Sequence, residues 1–480
     1  MSERFKKARS ARLTPLFSAP ARMGVLLLAT SLTACSMFSS GQSAPPRTVA
    51  GFIGEVVADE PQAALAARDV LAKGGNAADA AAALGLALSV TLPSRASLGA
   101  GGACLAWKPG QPQGQAFLFL PKAGQAQAGA DRPASVPMLA RGLYLMQLRY
   151  GSVDFGELVL PARNMARAGV PVSPLLAADM SAVEAPLLAD EKTSAIFSNG
   201  NGSVLKTSDL MVQPRLAGAL ERIRIAGVGD LYEGSLAQTF VQAAQAAGGG
   251  LSAQDLRASI AAVSAPLMLR ANGVDISFLP PPADGGLGTA AAFAGGQNHA
   301  TVRGEAVVAG WRASAKGSAA NVAAAQALLN SGNLPGGTAL PALPASTSFI
   351  VTDRQGGVVS CALSMNNLFG TGRVAGSTGV VLGASPARLP LPLFTAAIAH
   401  QGSGQFRAAA TASGQNVAAD TAAVALQAAL AGGKPQVSSG PGRGNSVSCP
   451  AGLPGDSGKC FGWTDPRGSG LAVSSGGVQK

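Results

Sequence analysis

The stretch Ser346–Gly379, STSFIVTDRQGGVVSCALSMNNLFGTGRVAGSTG, decides how this chain of 480 residues is interpreted. Two short apolar runs, Phe349–Thr352 and Val358–Leu363, predict two strands that pair around the polar, glycine-containing turn between them. A glycine-rich loop, FGTG, follows the second run. The Gly- and Pro-rich residues 331–345 precede the segment and predict a flexible loop. A hydroxyl residue, Ser346, is therefore expected to open a buried hairpin directly after a long loop.

This position of Ser346 suggests a nucleophile, and a hydroxyl nucleophile needs a base. The two histidines, His299 and His400, lie in contexts that favour a structural or solvated role over a catalytic one. The α-amine of a new chain terminus, with a pKa of about 7.7–8.0, would serve instead. A cut between Ala345 and Ser346 would place amine and hydroxyl on one residue. The layout is typical of a self-cleaving N-terminal nucleophile hydrolase.

The same segment resembles the start of the small subunit of γ-glutamyltransferases. There the pattern T-[TA]-H-x-S-V-V-D is followed by T-x-N and F-G-[TS]. Four other stretches resemble further parts of that family in the right order: Gly54–Gly102, Arg141–Ser173, Leu231–Leu256 and Phe278–Gly286. The resemblance implies an α/β (α+β) fold, a four-layer αββα sandwich. It also implies a large and a small subunit cut from one precursor, which stay associated.

Spacing within the resemblance selects the nucleophile. In the family, the nucleophile lies seven residues before the Asp of the turn and twenty before the Asn of T-x-N. Ser346 lies seven residues before Asp353 and twenty before Asn366, whereas Thr347 misses both by one. A shift of one residue moves a strand side chain to the other face of the sheet. The resemblance therefore implies Ser346 as the nucleophile and Ala345–Ser346 as the cleavage site.

The resemblance also implies the remaining catalytic groups. Ser364 stands where the family has a Thr that hydrogen-bonds the nucleophile. Ser413 and Gly414 stand where two glycines form an oxyanion hole, whose backbone N–H groups would stabilise the tetrahedral intermediate. No cofactor is implied. With two histidines and no CxxC motif, no metal site is expected either.

The candidate substrate-binding residues are Asn366, Ser385 and Arg388. The resemblance implies that Asn366 stands where the family's Asn contacts the substrate α-carboxylate, but other positions depart from the family. Arg388 falls near the family's acidic residue for the substrate α-ammonium, which reverses the charge. Leu120 occupies the position of the arginine that clamps the α-carboxylate, and the nearby Lys122 cannot replace a bidentate guanidinium. Two further positions differ from the family. Phe394-Thr395 stand in place of its Ser-Ser pair, and Ser348 stands in place of the histidine that follows its nucleophile.

The sequence is compatible with three functions. One is a self-cleaving hydrolase or transferase that acts on a γ-glutamyl, glutathione-like or related small-molecule amide. Another is an amide acylase of the same fold with non-glutamyl specificity, because Leu120 and Phe394 would make the pocket more apolar. The third is a catalytically silent envelope lipoprotein that acts as an interaction module.

The N-terminus predicts export. Residues 1–34 combine a basic region with a short apolar run, which is typical of a signal peptide. Leu32–Cys35 resembles a bacterial lipobox, so lipid on Cys35 would anchor the protein to a membrane, with residues 35–50 as a flexible linker. Simple cleavage near Ala34 and a soluble product is the alternative. The expected place is the periplasmic side of the cell envelope, with the outer membrane favoured.

The last features of the sequence are the net charge, the domain bounds and the remaining cysteines. Residues 1–34 contribute five of the eleven net positive charges, and no basic stripe with interleaved aromatic residues is present, which argues against nucleic-acid binding. Residues 51–345 would be the large-subunit-like region and 346–430 the small-subunit-like region. Residues 431–480 are expected to be poorly ordered, apart from a possible disulfide between Cys449 and Cys460. The other two cysteines, Cys104 and Cys361, are expected as buried thiols.

Overall fold

The computed structural model describes residues 51–125, 129–297, 303–314, 321–437 and 440–475. The predicted signal peptide 1–34, Cys35, the linker 35–50 and His299 lie outside the described residues. Among the helices within the described ranges, none is both long enough and apolar enough to cross a bilayer.

Runs of helices and runs of strands follow one another along the described chain. The helices are α1 (Pro61–Ala72), α2 (Ala77–Thr91), α3 (Pro93–Ala96), α4 (Leu139–Tyr150), α5 (Phe155–Ala168), α6 (Pro174–Ala182), α7 (Glu184–Leu188), α8 (Glu191–Phe197), α9 (Pro214–Ala226), α10 (Ser235–Ala246), α11 (Ala253–Ala258), α12 (Gly285–Gln297), α13 (Gly304–Ser314), α14 (Val322–Ser331) and α15 (Ala418–Leu430). The strands are β1 (Gly54–Ala58), β2 (Gly101–Trp107), β3 (Gln115–Phe119), β4 (Lys122–Ala123), β5 (Ser135–Val136), β6 (Val170–Pro171), β7 (Leu210–Met211), β8 (Ala262–Ser264), β9 (Leu267–Ala271), β10 (Val274–Phe278), β11 (Thr347–Thr352), β12 (Val358–Ser364), β13 (Val374–Ala375), β14 (Val380–Val381), β15 (Ala397–Gln401), β16 (Gln405–Ser413), β17 (Arg443–Leu453), β18 (Phe461–Thr464) and β19 (Leu471–Ser475). Short 3-10 helices occupy Val228–Leu231, Gln415–Val417 and Ser457–Lys459.

Two large antiparallel sheets are stacked face to face. The first has the order β19-β1-β11-β12-β2-β3-β8, and the second has the order β18-β17-β16-β15-β10-β9. Apolar side chains from both sheets, such as Ile350 of β11 and Val447 of β17, form the core between them. The outer face of the first sheet packs on helices that include α1, α2 and α4, and that of the second packs on α12 to α15. The predicted αββα sandwich is therefore confirmed.

The hairpin predicted from the opening segment lies in the middle of the first sheet, between β1 and β2. Its strands pair in a register that places Phe349 opposite Cys361. Phe349 and Val351 face the helical layer, while Ile350 faces the other sheet. This alternation is the period of two expected of a strand that is covered on both faces. Both predicted strands are present, and each extends slightly further than the apolar run indicated.

The prediction of two buried thiols at Cys104 and Cys361 is wrong. Both residues are buried, but they are joined by a disulfide with an S–S distance of 2.02 Å. The reason is that β2 and β12 are neighbours and their register places Cys104 directly opposite Cys361. A separation of 257 residues in the sequence hides this pairing.

The prediction that residues 431–480 are poorly ordered is also wrong for the described part of this segment. β17 and β18 extend the second sheet, and β19 forms an edge of the first. A disulfide with an S–S distance of 2.04 Å joins Cys449 to Cys460. The small residues that suggested disorder allow close packing instead. A Cβ on Gly462, for example, would lie 2.6 Å from a methyl carbon of Val57.

Candidate active site

Ser346 lies immediately before β11 and is 1% exposed. Its backbone carbonyl accepts a hydrogen bond of 3.0 Å from Nη1 of Arg95. The serine therefore sits where the long loop enters the central hairpin, with its peptide group fixed by a cation. This is the position that the sequence predicts for the nucleophile.

Ser364, the last residue of β12, contacts the peptide bond that would be cut. Its Oγ donates to the carbonyl oxygen of Ala345 over 2.7 Å. The same Oγ accepts from the backbone N–H of Asn366 over 2.9 Å, so both the hydroxyl and its proton have a defined direction. A donor in this place would stabilise the negative charge that forms on the Ala345 oxygen when a nucleophile attacks.

The loop before the cleavage site is held in place, contrary to the expected flexibility. Leu343 is 2% exposed and packs in an apolar cluster with residues of α13 and α15. Its N–H donates to Oδ1 of Asn416 over 3.0 Å. Nδ2 of Asn416 donates to the carbonyl of Leu340 and to Glu305, and the Leu340 N–H donates to the same Glu305 oxygen. These polar anchors position the chain on the Ala345 side of the bond.

A buried carboxylate, Asp59, organises the first residues of β11. Its Oδ2 accepts from the Thr347 hydroxyl over 3.1 Å and from the Ser348 N–H over 3.0 Å. Its Oδ1 accepts from Nδ2 of Asn445 over 2.7 Å. Burial raises the pKa of Asp59, although these hydrogen bonds oppose the increase. Asp59 follows β1 and Asn445 belongs to β17, so the cluster joins the two sheets beside the nucleophile.

Arg95 is positioned in turn by Asp179 of α6. Its Nε and Nη2 donate to the two oxygens of Asp179, each over 2.8 Å. Burial disfavours a charged guanidinium, but the hydrogen bonds and charge of Asp179 outweigh this and raise the pKa of Arg95. Such a bidentate pair fixes the plane of the guanidinium, which leaves Nη1 directed at the Ser346 carbonyl.

Sequence reasoning missed Asp59, Asn445, Arg95 and Asp179. Arg95 carried a usable signal, because it and Asp79 are the only charged residues between Ala77 and Trp107. A lone arginine in such an apolar stretch has to find a partner. No comparable signal marks Asn445.

The predicted substrate-binding residues Asn366, Ser385 and Arg388 lie on neighbouring segments, where the Arg388 N–H donates to the Ser385 carbonyl over 3.4 Å. Asn366 is buried with φ +55°, its Nδ2 donates to the Leu389 carbonyl, and its Oδ1 has no hydrogen-bond partner among the described residues. Ser385 is buried on the same loop. Arg388 is exposed, and no contact links it to Ser346 in the described part of the chain.

The side chains at positions that depart from the family pack in the core or bond to the backbone. Leu120 and Phe394 both belong to the apolar core between the sheets, so the prediction that they line a more apolar pocket is wrong. Lys122 donates from Nζ to the backbone carbonyl of Ile260 over 2.9 Å. Thr395 bonds through its hydroxyl to the backbone of Ala412, just before Ser413.

A cleft of about 430 Å³ is lined by Arg95, which bonds the Ser346 carbonyl, whereas the Ser346 side chain is not part of its lining. Its lining includes Ser413 and Gly414, the predicted oxyanion residues, together with Asp59 and Arg95. Gly414 has φ +125°, and a Cβ there would lie 2.5 Å from the Cα of Gly442, so this position requires glycine. Within the described ranges, no group of three or more His, Cys, Asp or Glu residues could hold a metal ion.

Comparison with known proteins finds a matching family and related chains. The family described as Gamma-glutamyltranspeptidase matches residues 63–300. The glutathione hydrolase proenzyme of Escherichia coli is 28% identical over 390 residues, which cover 70% of this chain and 66% of that protein. Glutathione hydrolase 3 of Arabidopsis thaliana is 31% identical over 49% of this chain and 39% of its own length. The chain thus spans two thirds or less of the length of these curated relatives.

Solved structures show the same fold. The crystal structure of cephalosporin acylase from Bacillus halodurans superposes with a TM-score of 0.69 at 18% identity, covering 92% of this chain and 99% of that chain. The γ-glutamyltranspeptidase of Helicobacter pylori superposes with a TM-score of 0.50 at 21% identity, covering 62% of this chain and 95% of that chain. Both likenesses concern the arrangement of the sheets and helices.

Proposed function

We propose that this chain, a divergent member of the γ-glutamyltransferase family of N-terminal nucleophile hydrolases, cuts its own Ala345–Ser346 bond. It then hydrolyses or transfers the acyl group of a small-molecule amide. The observation that carries the proposal is the 2.7 Å hydrogen bond from Ser364 Oγ to the Ala345 carbonyl. The bond puts an oxyanion donor on the peptide group whose cleavage would make Ser346 a new N-terminus.

The first step of the mechanism is an N-to-O acyl shift. Ser346 Oγ attacks the carbonyl carbon of Ala345, and the developing negative charge rests on the oxygen bonded by Ser364. The C–N bond then breaks, and the proton from the Ser346 hydroxyl ends on the departing nitrogen. Water hydrolyses the resulting ester, which leaves a carboxylate on Ala345 and a free hydroxyl and amine on Ser346.

The second step uses the new terminus on a substrate amide. The Ser346 amine accepts the proton of its own hydroxyl, whose oxygen attacks the substrate carbonyl. The proton passes to the leaving amine, and an acyl ester on Ser346 remains. Backbone N–H groups at Ser413 and Gly414 would stabilise the oxyanion on the substrate. Water, or an acceptor amine in the transfer reaction, then releases the acyl group.

The acyl group is γ-glutamyl or a related carboxylic acyl group. The curated relatives named glutathione hydrolase favour γ-glutamyl. The absence of the family's arginine at Leu120 favours an amide acylase of different specificity, because this position offers no charge to an α-carboxylate. A catalytically silent interaction module remains the third proposal, and an uncut chain would favour it.

The order of strands supports lasting association of the two subunits after the cut. β11 and β12 would belong to the small subunit, yet they lie between β1 and β2 of the large one. The disulfide between Cys104 and Cys361 would also link the two chains covalently.

Export and lipid anchoring through Cys35 remain part of the proposal. Two disulfides fit an oxidising compartment such as the periplasm. Labelling with a radioactive fatty acid and membrane fractionation of wild type and Cys35→Ala test the anchor. A labelled Cys35→Ala protein would contradict it.

The activity is tested with γ-glutamyl-p-nitroanilide and related amides on wild type, Ser346→Ala and Thr347→Ser. Ser346→Ala should stay uncut and inactive, because it lacks the nucleophile of both steps. Thr347→Ser retains a hydroxyl for Asp59 and should stay active. Unchanged activity in Ser346→Ala would overturn the proposal.

A further inference from the structure

The cleft lined by Ser413 and Gly414 has more arginines than carboxylates in its lining. Arg95, Arg443 and Arg467 line it, as do Asp59 and Asp465. Asp465 accepts through both oxygens from Arg467, at 2.9 and 2.6 Å. Asp179 binds Arg95 in the same bidentate way from outside the lining. Two of the three guanidinium groups are therefore already paired.

Among the described arginines that line the cleft, Arg443 is the one without an ion pair; its charge acts on Asp465 at longer range, but that carboxylate is bonded to Arg467. Its hydrogen bonds among the described residues run from Nη1 to the backbone carbonyls of Gly440 and Gly442, at 3.3 and 3.0 Å. These carbonyls hold the side chain in place without neutralising it. The remaining carboxylate of the cleft, Asp59, is buried and already accepts three hydrogen bonds. An anion entering the cleft would find Arg443 available for pairing.

Arg443 lies next to the predicted oxyanion residues. In the ladder between β16 and β17, Arg443 is the direct partner of Ser413, and Gly414 follows. A substrate whose carbonyl oxygen rested on these backbone groups would extend into the part of the cleft that Arg443 lines.

The contacts between the sheets place Arg443 on the side of the nucleophile. Nδ2 of Asn445 donates to the carbonyl and hydroxyl oxygens of Ser348. Two residues further along each strand, Val447 and Ile350 share the core between the sheets. Side chains on one face of a strand recur every two residues. Two residues before Asn445 on β17 is Arg443, and two residues before Ser348 is Ser346, the proposed nucleophile. These two positions therefore correspond in the same way.

We propose that Arg443 determines specificity by binding the free carboxylate of an acyl donor derived from a dicarboxylic acid. This inference rests on the proposed function and names its substrate class, an amide of the glutaryl type. A γ-glutamyl donor also has a carboxylate, but its α-ammonium needs a negative partner. The cleft carboxylates are already bonded, Asp465 to Arg467 and Asp59 to its three donors. The donor without the amino group should therefore be preferred.

Binding of glutarate tests the site independently of catalysis. Calorimetric titration on the full chain carrying Ser346→Ala compares glutarate with uncharged glutaramide. Glutarate should bind, and Arg443→Gln should weaken it by about tenfold or more, while Arg443→Lys recovers part of the loss. The control is Arg354→Gln, because Arg354 is exposed in the β11–β12 turn. Equal affinity for the two ligands, or an equal loss in Arg354→Gln, would overturn the inference.

Kinetics on three matched p-nitroanilides test specificity. The glutaryl amide should be cleaved with a kcat/KM about tenfold above that of the γ-glutamyl amide, since its extra ammonium has no partner. Arg443→Gln should lower kcat/KM for glutaryl about tenfold or more, mainly through KM, and leave butyryl within about threefold. An equal loss on butyryl would show a structural role and overturn the inference. Glutarate binding without turnover of any amide would refute the proposed function and uphold the carboxylate site.

Discussion

Replacement of Ser364 by alanine should slow self-cleavage without abolishing it. The hydroxyl donates to the Ala345 carbonyl over 2.7 Å, and this bond should strengthen as charge develops on that oxygen. Loss of one such donor slows acyl-transfer reactions by about 10²–10³-fold, which corresponds to about 2.7–4 kcal/mol. Ser364→Thr keeps the donor and should cut at nearly the wild-type rate.

The assay is a time course of intact mass on freshly purified precursor. Ser364→Ala also removes the acceptor of the Asn366 N–H, which lowers the free energy of unfolding by about 1–3 kcal/mol. Cleavage must therefore be measured well below the melting temperature. The matched control is Ser360→Ala on the same strand, because Ser360 Oγ is buried and bonds to no group in the described part of the chain. A Ser364→Ala chain that cuts within about threefold of wild type, or an equally slow Ser360→Ala chain, would refute the reasoning.

Other features of the structure lead to further predictions. Cut protein should run as one species on a gel without reductant and as two with it, because Cys104 and Cys361 lie on opposite sides of the cut; separation without reductant would contradict this. Burial raises the pKa of Glu55 from 4.5 to about 7, so the folded state binds its proton more tightly than the unfolded state does. The stability that Glu55 contributes is present in full below about pH 4.5, and about 3 kcal/mol of it is lost as the pH rises through 7. In denaturant titrations at about pH 5 and pH 8, Glu55→Gln should lose less stability than wild type by about this amount. Asp179→Asn should lower the free energy of unfolding by about 3 kcal/mol, because it leaves Arg95 buried without its partner; an unchanged denaturation midpoint would argue against that role.

The sequence predicted those parts of the fold that local patterns encode. The hairpin of β11 and β12 follows from two short apolar runs and a turn. The choice of Ser346 as nucleophile came from the resemblance to γ-glutamyltransferases, whose spacing it shares to Asp353 and Asn366, and it stays a prediction.

Contacts between distant segments could not be predicted in this way. Asp59 and Asn445 are 386 residues apart, and nothing in either neighbourhood indicates that they meet beside the nucleophile. Cys104 and Cys361 are opposite each other only because β2 and β12 are neighbours in the sheet. The Gly- and Ser-rich C-terminal segment looked unstructured because small residues serve equally well in disordered chains and at close sheet contacts.

The intact mass and N-terminal sequence of the purified protein test directly whether the chain cuts itself at Ala345–Ser346. Self-cleavage should give two chains, one of which begins Ser346-Thr347-Ser348. A new terminus at Thr347 would show that the register of the nucleophile is wrong by one residue. A single uncut chain would contradict the mechanism and favour the role of a non-catalytic interaction module.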